Sequence, residues 1–327
     1  AAPNTQANLV DLGYPGMLPV LNGEAVKMAI CFGLATGSKI SRRSVFARKN
    51  YFYPDLPKGY QISQYDLPIN VDGEIELPSG HRVGIERAHL EEDTGKSTHV
   101  GGGGRITDAG YSLVDYNRSG VPLLEIVSRP DIRSSDEART YVSELRSILV
   151  ATAVSDAKME EGSLRVDANV SVHHPGEPFG TRCEIKNLNS LRSLGRAIDY
   201  EVTRQIDLLE AGEAVRQETR HWNEDDGRTL TLRVKEEAED YRYFPEPDLV
   251  PVVVSEAEIA AARSAMGELP QAQRKRLASE HGLTAYDAQV LTAKGRPTVA
   301  YFEAVAKALN DGKTASNRMS DLIYPAL

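Results

Sequence analysis

The spacing of hydrophobic residues along the chain changes near residue 252, and this change predicts two structural regions. Before it, several short stretches alternate between apolar and polar residues, as strands with one buried face do. The clearest alternating set is Leu164, Val166, Ala168, Val170 and Val172. After Pro251 the pattern is typical of consecutive helices, which Pro270, Gly282 and Pro297 separate.

Two helix starts carry the same signature. Ser134 and Glu137, like Ser255 and Glu258, are three residues apart, which is the spacing of a capping box. The length of 327 residues favours two domains over one. We therefore predict an α+β fold, with a mainly antiparallel sheet domain and flanking helices over residues 1–252, followed by an all-α domain over residues 253–327.

The composition excludes several classes of protein. A net charge of −9 argues against a broad basic surface. The two cysteines, Cys31 and Cys183, are too few for a disulfide framework or a zinc site. No apolar run approaches the length of a membrane span, and the first residues lack a signal-peptide pattern. We expect a cytoplasmic protein that does not act at a membrane.

Three consecutive carboxylates, Glu91, Glu92 and Asp93, stand out in the sequence. Adjacent carboxylates raise one another's pKa unless a cation neutralises them, and Mg²⁺ is bound by one or two such groups. If the chain stays extended, His89 and Glu91 share the face of Ile85, and Glu92 lies on the opposite face. The pattern is compatible with one arm of a metal site and also with a solvated acidic turn.

The stretch Thr94-Gly95-Lys96-Ser97 resembles the end of a phosphate-binding loop. That motif requires a second glycine five positions before Gly95, where Leu90 stands, and a helix directly afterwards. Four glycines, 101–104, follow instead. We reject the phosphate loop and predict a flexible, mobile loop at residues 101–104.

Glu125 is the one charged residue in the apolar run 121–127. Such a run is typical of a strand that is buried on both faces, where an unpaired carboxylate is costly. Glu125 is therefore expected to be paired, protonated or bound to a metal. A structural ion pair with Arg118 or Arg129 and a functional role both remain open.

Several unusual strings resemble those of the B subunits of the bacterial tRNA-dependent amidotransferases. They are RKNYFYPD at 48–55, YQISQ at 60–64, EED at 91–93 with GK at 95–96, LLEIV at 123–127, GSLR at 162–165 with DAN at 167–169, and DYRYFPEPD at 240–248. They follow one another in the same order as in that family, and the resemblance covers most of the chain.

The resemblance implies a reaction in two halves. ATP phosphorylates the side-chain carboxylate of the glutamate or aspartate that a misacylated tRNA carries, and ammonia then displaces the phosphate. The ammonia comes from glutamine, through a tunnel that leads from a separate amidase subunit. The resemblance therefore implies Mg²⁺ and ATP as cofactors. It implies three partners, namely that amidase subunit, the small third subunit of the same complex, and misacylated tRNA.

The resemblance also implies roles for individual residues. Glu92 and Glu125 are implied to bind the metal, and Lys49 and Lys58 to line the catalytic site or the tunnel. The residues implied to contact the nucleotide are Arg48, Asn50, Tyr51, Gln61, Ser63 and Lys96.

The chain departs from the family pattern in three places. Members usually begin with a Gly-Leu-Glu-Val-His segment whose glutamate and histidine help hold the metal, and we expect those ligands to lie upstream of residue 1. Residues 6–16 lack the paired cysteines of many members, so we expect no structural zinc. The family's C-terminal tail domain is also expected to be missing. Two other hypotheses remain, a carboxylate ligase that acts alone and a non-catalytic tRNA-binding scaffold subunit.

Overall fold

The computed structural model describes residues 1–101, 109–234 and 240–323. Within them the chain forms two compact units. The first unit comprises Ala1–Glu74, Gly84–Pro130 and Glu239–Ala265, and the second comprises Ile75–Val83, Asp131–Ala238 and Met266–Leu327, each as far as it is described. Except for Gly101, the loop predicted at residues 101–104 lies outside the described residues.

The elements of the first half of the chain are mostly short strands. In chain order they are α1 (Gly23–Ala35), β1 (Lys39–Ile40), β2 (Arg43–Ser44), β3 (Phe46–Asn50), β4 (Tyr60–Gln64), β5 (Asn70–Glu76), β6 (Arg82–Glu92), β7 (Lys96–Val100), β8 (Tyr111–Asp115), a 3₁₀ turn (Tyr116–Arg118) and β9 (Pro122–Ser128).

Longer helices enter in the second half. The elements are α2 (Ser135–Ala151), β10 (Val166–Val170), β11 (Cys183–Leu188), α3 (Leu191–Glu210), β12 (Glu218–Asn223), β13 (Arg228–Val234), β14 (Phe244–Pro245), β15 (Val252–Val253), α4 (Glu256–Met266), α5 (Pro270–His281), α6 (Ala285–Ala293), α7 (Arg296–Leu309), α8 (Gly312–Arg318) and a π turn (Met319–Ile323).

The strands form small sheets. Their orders are β1-β5-β6-β9, β14-β3-β4, β15-β2, β7-β8 and β10-β11-β12-β13. The pairs with a described register are antiparallel, except for β11 with β12. The mixture of helices and antiparallel sheets confirms the α+β prediction at this level, whereas the domain boundary near residue 252 stays a prediction.

The helix starts are those that the sequence predicts. The Ser134 hydroxyl accepts a hydrogen bond from the Glu137 N–H, and Ser255 and Glu258 cap each other reciprocally. Pro270 begins α5, and Gly282 ends it in a left-handed conformation with φ of 62°. The residues described after Val253 contain helices and no strand.

An apolar cluster forms the core of the first unit. Ala29 and Ile30 of α1 pack on a cluster that includes Phe46, Ile62 and Leu90, all of them buried. Burying one such large side chain contributes about 1.5–3 kcal/mol. Because these residues come from α1, β3, β4 and β6, the cluster fixes the positions of the strands that carry the site described below.

A β-bulge in β6 determines which side chains face the same way. In the pairing with β9, Ile85 lies opposite Ser128 and Arg87 lies opposite Val127, so β6 contains one extra residue at this point. A one-residue shift reverses the side-chain alternation beyond it. His89 and Glu91 therefore share a face with each other but not with Ile85, and the predicted grouping with Ile85 is wrong.

Candidate functional site

One histidine and two carboxylates of the first unit converge. His89 and Glu125 are directly opposite each other in the β6–β9 pair. The His89 Nε2 lies 3.5 Å from Glu125 Oε2 and 3.8 Å from Glu91 Oε2. One ligand atom from each of the three residues lies within 4.8 Å of the others. Within the described residues this is the only group of three histidine, cysteine or acidic side chains with such spacing.

The environment of Glu125 differs from the sequence-based prediction. β9 is partly exposed along its length, and the Glu125 side chain is 43% exposed, so the strand is not buried on both faces. Neither predicted arginine pairs with it, because Arg118 pairs with Asp93 and Arg129 with Asp72. The partner of Glu125 is His89, which only the strand pairing brings to it.

Glu91 is held as a buried, charged carboxylate. It accepts hydrogen bonds from the Gln61 side-chain amide and from the Ser63 hydroxyl, each at 3.0 Å. These two donors alternate along β4 and so point to one side of it. Burial acts to raise the pKa of Glu91, but the neighbouring His89 imidazole, the charge of Lys49 and the Ser63 hydroxyl outweigh it and lower the pKa. Glu91 is therefore ionised at neutral pH.

Lys49 supplies positive charge beside this carboxylate. It lies on β3 directly opposite Gln61, and its ammonium is 4.9 Å from the centre of the Tyr241 ring and 6.0 Å from that of Tyr51. The Tyr51 hydroxyl lies 3.1 Å from the Gln61 side-chain oxygen and donates to it. Burial and the nearby carboxylates, those of Asp55 and Glu91 first, raise the pKa of Tyr51, so this hydroxyl keeps its proton.

Glu92 takes part in a different contact. Its carboxylate forms an ion pair with Lys58 and accepts the Ile62 N–H at 2.9 Å. Both side chains of the pair are largely buried. Burial raises the pKa of Glu92, although Lys58 acts against it. The structure thus joins Lys58 to Glu92 but groups Glu125 with Glu91, so the metal role predicted for Glu92 has no support from this geometry.

Arg48 and Asn50 point away from the Glu91 and Glu125 carboxylates and bind residues of the 241–248 segment. Arg48 donates to both carboxylate oxygens of Glu246, at 2.7 and 3.0 Å. The Asn50 amide donates to the carbonyls of Tyr241 and Arg242, at 3.2 and 2.8 Å. Lys96 lies exposed on β7, opposite Asp115. The nucleotide contacts predicted for Arg48, Asn50 and Lys96 stay predictions.

A cavity of about 320 Å³ adjoins the acidic strand within the first unit. Phe46, Ile62 and Leu90 contribute apolar walls, and the acidic residues Asp11, Glu91 and Glu92 also line the cavity. A volume near 300 Å³ is at the lower end of the range for small-molecule sites. The cavity therefore has both the space and the polarity to admit a small polar group.

The donor set of the three converging residues fits a divalent cation. Carboxylates are the usual protein ligands of Mg²⁺ and Mn²⁺, and an imidazole nitrogen suits transition ions such as Fe²⁺ and Zn²⁺. The Nδ1 of His89 is buried and has no hydrogen-bond partner in the described part of the chain. The sequence alone did not group His89 and Glu91 with Glu125, although strand alternation placed both on one face of β6.

Comparison with known proteins gives consistent matches along the chain. A family model described as the GatB/GatE catalytic domain matches residues 1–260. Proteins named as the B subunit of aspartyl/glutamyl-tRNA(Asn/Gln) amidotransferase are similar over nearly the whole chain. The one from Methylobacterium sp. (strain 4-46) is 54% identical over 100% of this chain and 66% of its own length. The one from Thioalkalivibrio sulfidiphilus (strain HL-EbGR7) is 56% identical over 100% of this chain and 68% of its own length.

A third relative, from Hydrogenovibrio crunogenus (strain DSM 25203 / XCL-2), is 52% identical over 97% of this chain and 66% of its own length. The chain thus spans about two thirds of the length of these curated relatives. Among the described residues, no helix combines the length and the apolar character needed to cross a membrane.

Proposed function

Because the chain belongs to the GatB/GatE catalytic domain family, we propose that it carries the carboxylate-activating centre of a glutamine-dependent aminoacyl-tRNA amidotransferase. In this reaction ATP phosphorylates the side-chain carboxylate of Glu-tRNA(Gln), Asp-tRNA(Asn) or both, and ammonia displaces the phosphate. The names of the relatives, which mention both amino acids, support this substrate class. The single observation that carries the proposal is the convergence of His89, Glu91 and Glu125.

The three converging residues would hold Mg²⁺. When bound, such an ion neutralises charge on the phosphoryl group that is being transferred. Glu91 takes the role that the sequence resemblance assigned to Glu92, because its carboxylate lies with Glu125. Gln61 and Ser63 orient the Glu91 carboxylate through their hydrogen bonds. Such outer contacts commonly change metal affinity about 10- to 100-fold.

Lys49 is the cation best placed to act on the substrate. Its ammonium lies near enough to Glu91 to lower the pKa of that carboxyl group, and the Tyr241 ring lies beside it at 4.9 Å. We assign to Lys49 the stabilisation of negative charge on the phosphoryl oxygens. The Lys58–Glu92 pair lies on the other face of β6, and we propose that Lys58 lines the catalytic site or the ammonia tunnel from there.

The partners follow from the same reaction. The chain has to receive ammonia from a glutamine amidase, so we propose that it assembles with the amidase subunit of the complex and with the small third subunit. The assembled complex binds misacylated tRNA in the cytoplasm. The relatives are named as B subunits, which supports membership of a complex with several different chains.

The test measures ATP-dependent conversion of Glu-tRNA(Gln) and Asp-tRNA(Asn) by the assembled complex that contains the full-length chain. Glu125→Gln and Glu91→Gln are each expected to lower kcat about 100-fold or more, because each removes a charged ligand of an ion that contributes several kcal/mol. Glu86→Gln is the matched control, since Glu86 is an exposed carboxylate on the same strand. Full activity of both site variants contradicts the proposal.

A further inference from the structure

Four tyrosines form a continuous aromatic row in the first unit. The rings of Tyr51 and Tyr241 meet edge to face at 5.9 Å, and those of Tyr241 and Tyr243 at 6.0 Å. The last contact is different, because the rings of Tyr243 and Tyr65 are 4.3 Å apart and only 6° from parallel. The row therefore ends in a stacked pair.

Strong contacts fix the segment that carries the two central tyrosines. The side chain of Asn50 and its backbone N–H both donate to the Tyr241 carbonyl. Farther along, Arg48 holds Glu246 with two hydrogen bonds and its guanidinium lies 4.1 Å from the centre of the Tyr60 ring. Two anchors on β3 thus bracket the segment, so its rings are held in place before any ligand binds.

The stacked pair lies beside the candidate metal centre. Gln61 and Ser63 of β4 donate to Glu91, and Tyr65 directly follows Gln64, the last residue of that strand. Burial and the charges of Glu91 and Glu125 raise the pKa of Tyr243 to about 12. The Tyr243 ring also meets that of Tyr241, which lies 4.9 Å from the Lys49 ammonium. Lys49 is in turn opposite Gln61, which donates to Glu91.

The outer ring of the pair is open to a ligand. Tyr65 is 59% exposed although the Tyr243 ring stacks on one face of its ring. A ring whose orientation is already fixed loses little conformational freedom when a further planar group stacks on it. Stacking on tyrosine tolerates any base, because every base has a π-face.

We propose that Tyr65, backed by Tyr243, is the stacking platform for a purine base whose nucleotide presents its phosphates to the His89–Glu91–Glu125 centre. This inference rests on the proposed function, which requires a nucleotide at that centre. Two sources supply the same chemistry, the adenine of ATP and the terminal adenosine of the tRNA that carries the amino acid. The platform has a positioning and binding role and takes no part in the phosphoryl transfer.

The test compares Tyr65→Leu, which removes the ring, with Tyr65→Phe, which keeps it. Tyr111→Leu is the control, because Tyr111 is a similarly exposed tyrosine on β8 at 61%. In the assembled complex the KM values for ATP and for misacylated tRNA are measured, together with the inhibition constant of inorganic tripolyphosphate, which has phosphates but no base.

Tyr65→Leu is expected to raise the KM for ATP about 5- to 100-fold, the range that corresponds to the loss of one stacked base. In Tyr65→Leu the inhibition constant of tripolyphosphate is expected to change less than about twofold. In Tyr65→Phe and Tyr111→Leu the KM for ATP is also expected to change less than about twofold. If the KM for tRNA rises in place of the KM for ATP, the base belongs to the tRNA. If Tyr65→Leu leaves the KM values for ATP and tRNA unchanged, the proposal is overturned. It is also overturned if the inhibition constant of tripolyphosphate rises by the same factor as the KM for ATP.

A second measurement separates this inference from the proposed function. Equilibrium binding of ATP and of tripolyphosphate to the full-length chain with Mg²⁺ requires no turnover. If the wild-type complex fails to amidate tRNA but Tyr65→Leu weakens the binding of ATP and not that of tripolyphosphate, the proposed function is wrong and the stacking platform is confirmed. If the complex amidates tRNA and Tyr65→Leu changes neither KM value, the platform is wrong and the function stands.

Discussion

Glu91 and Glu92 are neighbours in the chain, yet their carboxylates serve opposite faces of β6. Glu91 accepts hydrogen bonds from Gln61 and Ser63 and lies with His89, whereas Glu92 pairs with Lys58. The two neighbours also differ in pKa, which is lowered for Glu91 and raised for Glu92. The separation places the converging residues His89, Glu91 and Glu125 on one face and a buried ion pair on the other.

The first prediction concerns the hydrogen bond that Ser63 donates to Glu91. Ser63→Ala removes a donor to a carboxylate that we propose binds the metal, so the affinity for Mn²⁺ should fall about 10- to 100-fold. Titration of the full-length chain by electron paramagnetic resonance measures this affinity. Ser112→Ala on β8 is the control, because it removes a hydroxyl that is hydrogen-bonded to His99 on β7, and it should leave the affinity unchanged. An equal loss in both variants would indicate a general structural effect.

The second prediction concerns Lys49. Tyr241→Leu removes the ring beside its ammonium, and loss of a cation–π contact of about 0.5–2 kcal/mol should lower kcat about 3- to 30-fold. Tyr241→Phe retains the ring and should restore kcat to within about twofold of wild type. Steady-state kinetics of tRNA amidation provide the measurement. A Phe variant as impaired as the Leu variant would assign the effect to the hydroxyl and not to the ring.

The third prediction concerns the anchor of the 241–248 segment. The Glu246 side chain is fully buried and pairs with Arg48. Glu246→Gln should lower the free energy of unfolding by about 2–3 kcal/mol at pH 7, at the lower end for a buried pair because Arg48 retains Asp248. Chemical denaturation of the full-length chain measures the difference from wild type.

The contribution of the Arg48–Glu246 pair to the free energy of unfolding depends on pH in a defined direction. Burial acts to raise the pKa of Glu246, but hydrogen bonding to Arg48 outweighs it and lowers the pKa. A carboxyl group whose folded pKa is lowered contributes its stability above the unfolded pKa of about 4.3 and loses it as the pH falls through the folded pKa. The difference between wild type and Glu246→Gln should therefore shrink below about pH 4. A difference that stays constant down to pH 3 would contradict the ion pair.

Local signals in the sequence predicted the elements well. The capping boxes at Ser134 and Ser255 mark helix starts that the structure contains, and Pro270 and Gly282 delimit α5 as predicted. Alternation also holds within β10, where the apolar residues are more buried than Asp167 and Asn169. These features depend on residues a few positions apart, so a single sequence can show them.

The face on which a residue lies depends on less visible features. Gly84, next to the bulge between Ile85 and Arg87, is compatible with a bulge, but it does not show where the extra residue is inserted. The exposure of Glu125 depends on what covers β9, and its apolar neighbours suggested the opposite. Arg48 meets Glu246 across 198 positions, a contact that only the folded chain creates. The sequence therefore identified the candidate carboxylates, and the tertiary structure shows which of them lie together.

The most direct test of the metal centre is a Mn²⁺ soak of crystals of the full-length protein, analysed by anomalous diffraction. We expect one peak within coordination distance, about 2.1 Å, of carboxylate oxygens of both Glu91 and Glu125, with the His89 imidazole beside it. A peak that is coordinated by Glu92 and not by Glu91, or the absence of any peak at these residues at saturating Mn²⁺, would contradict it.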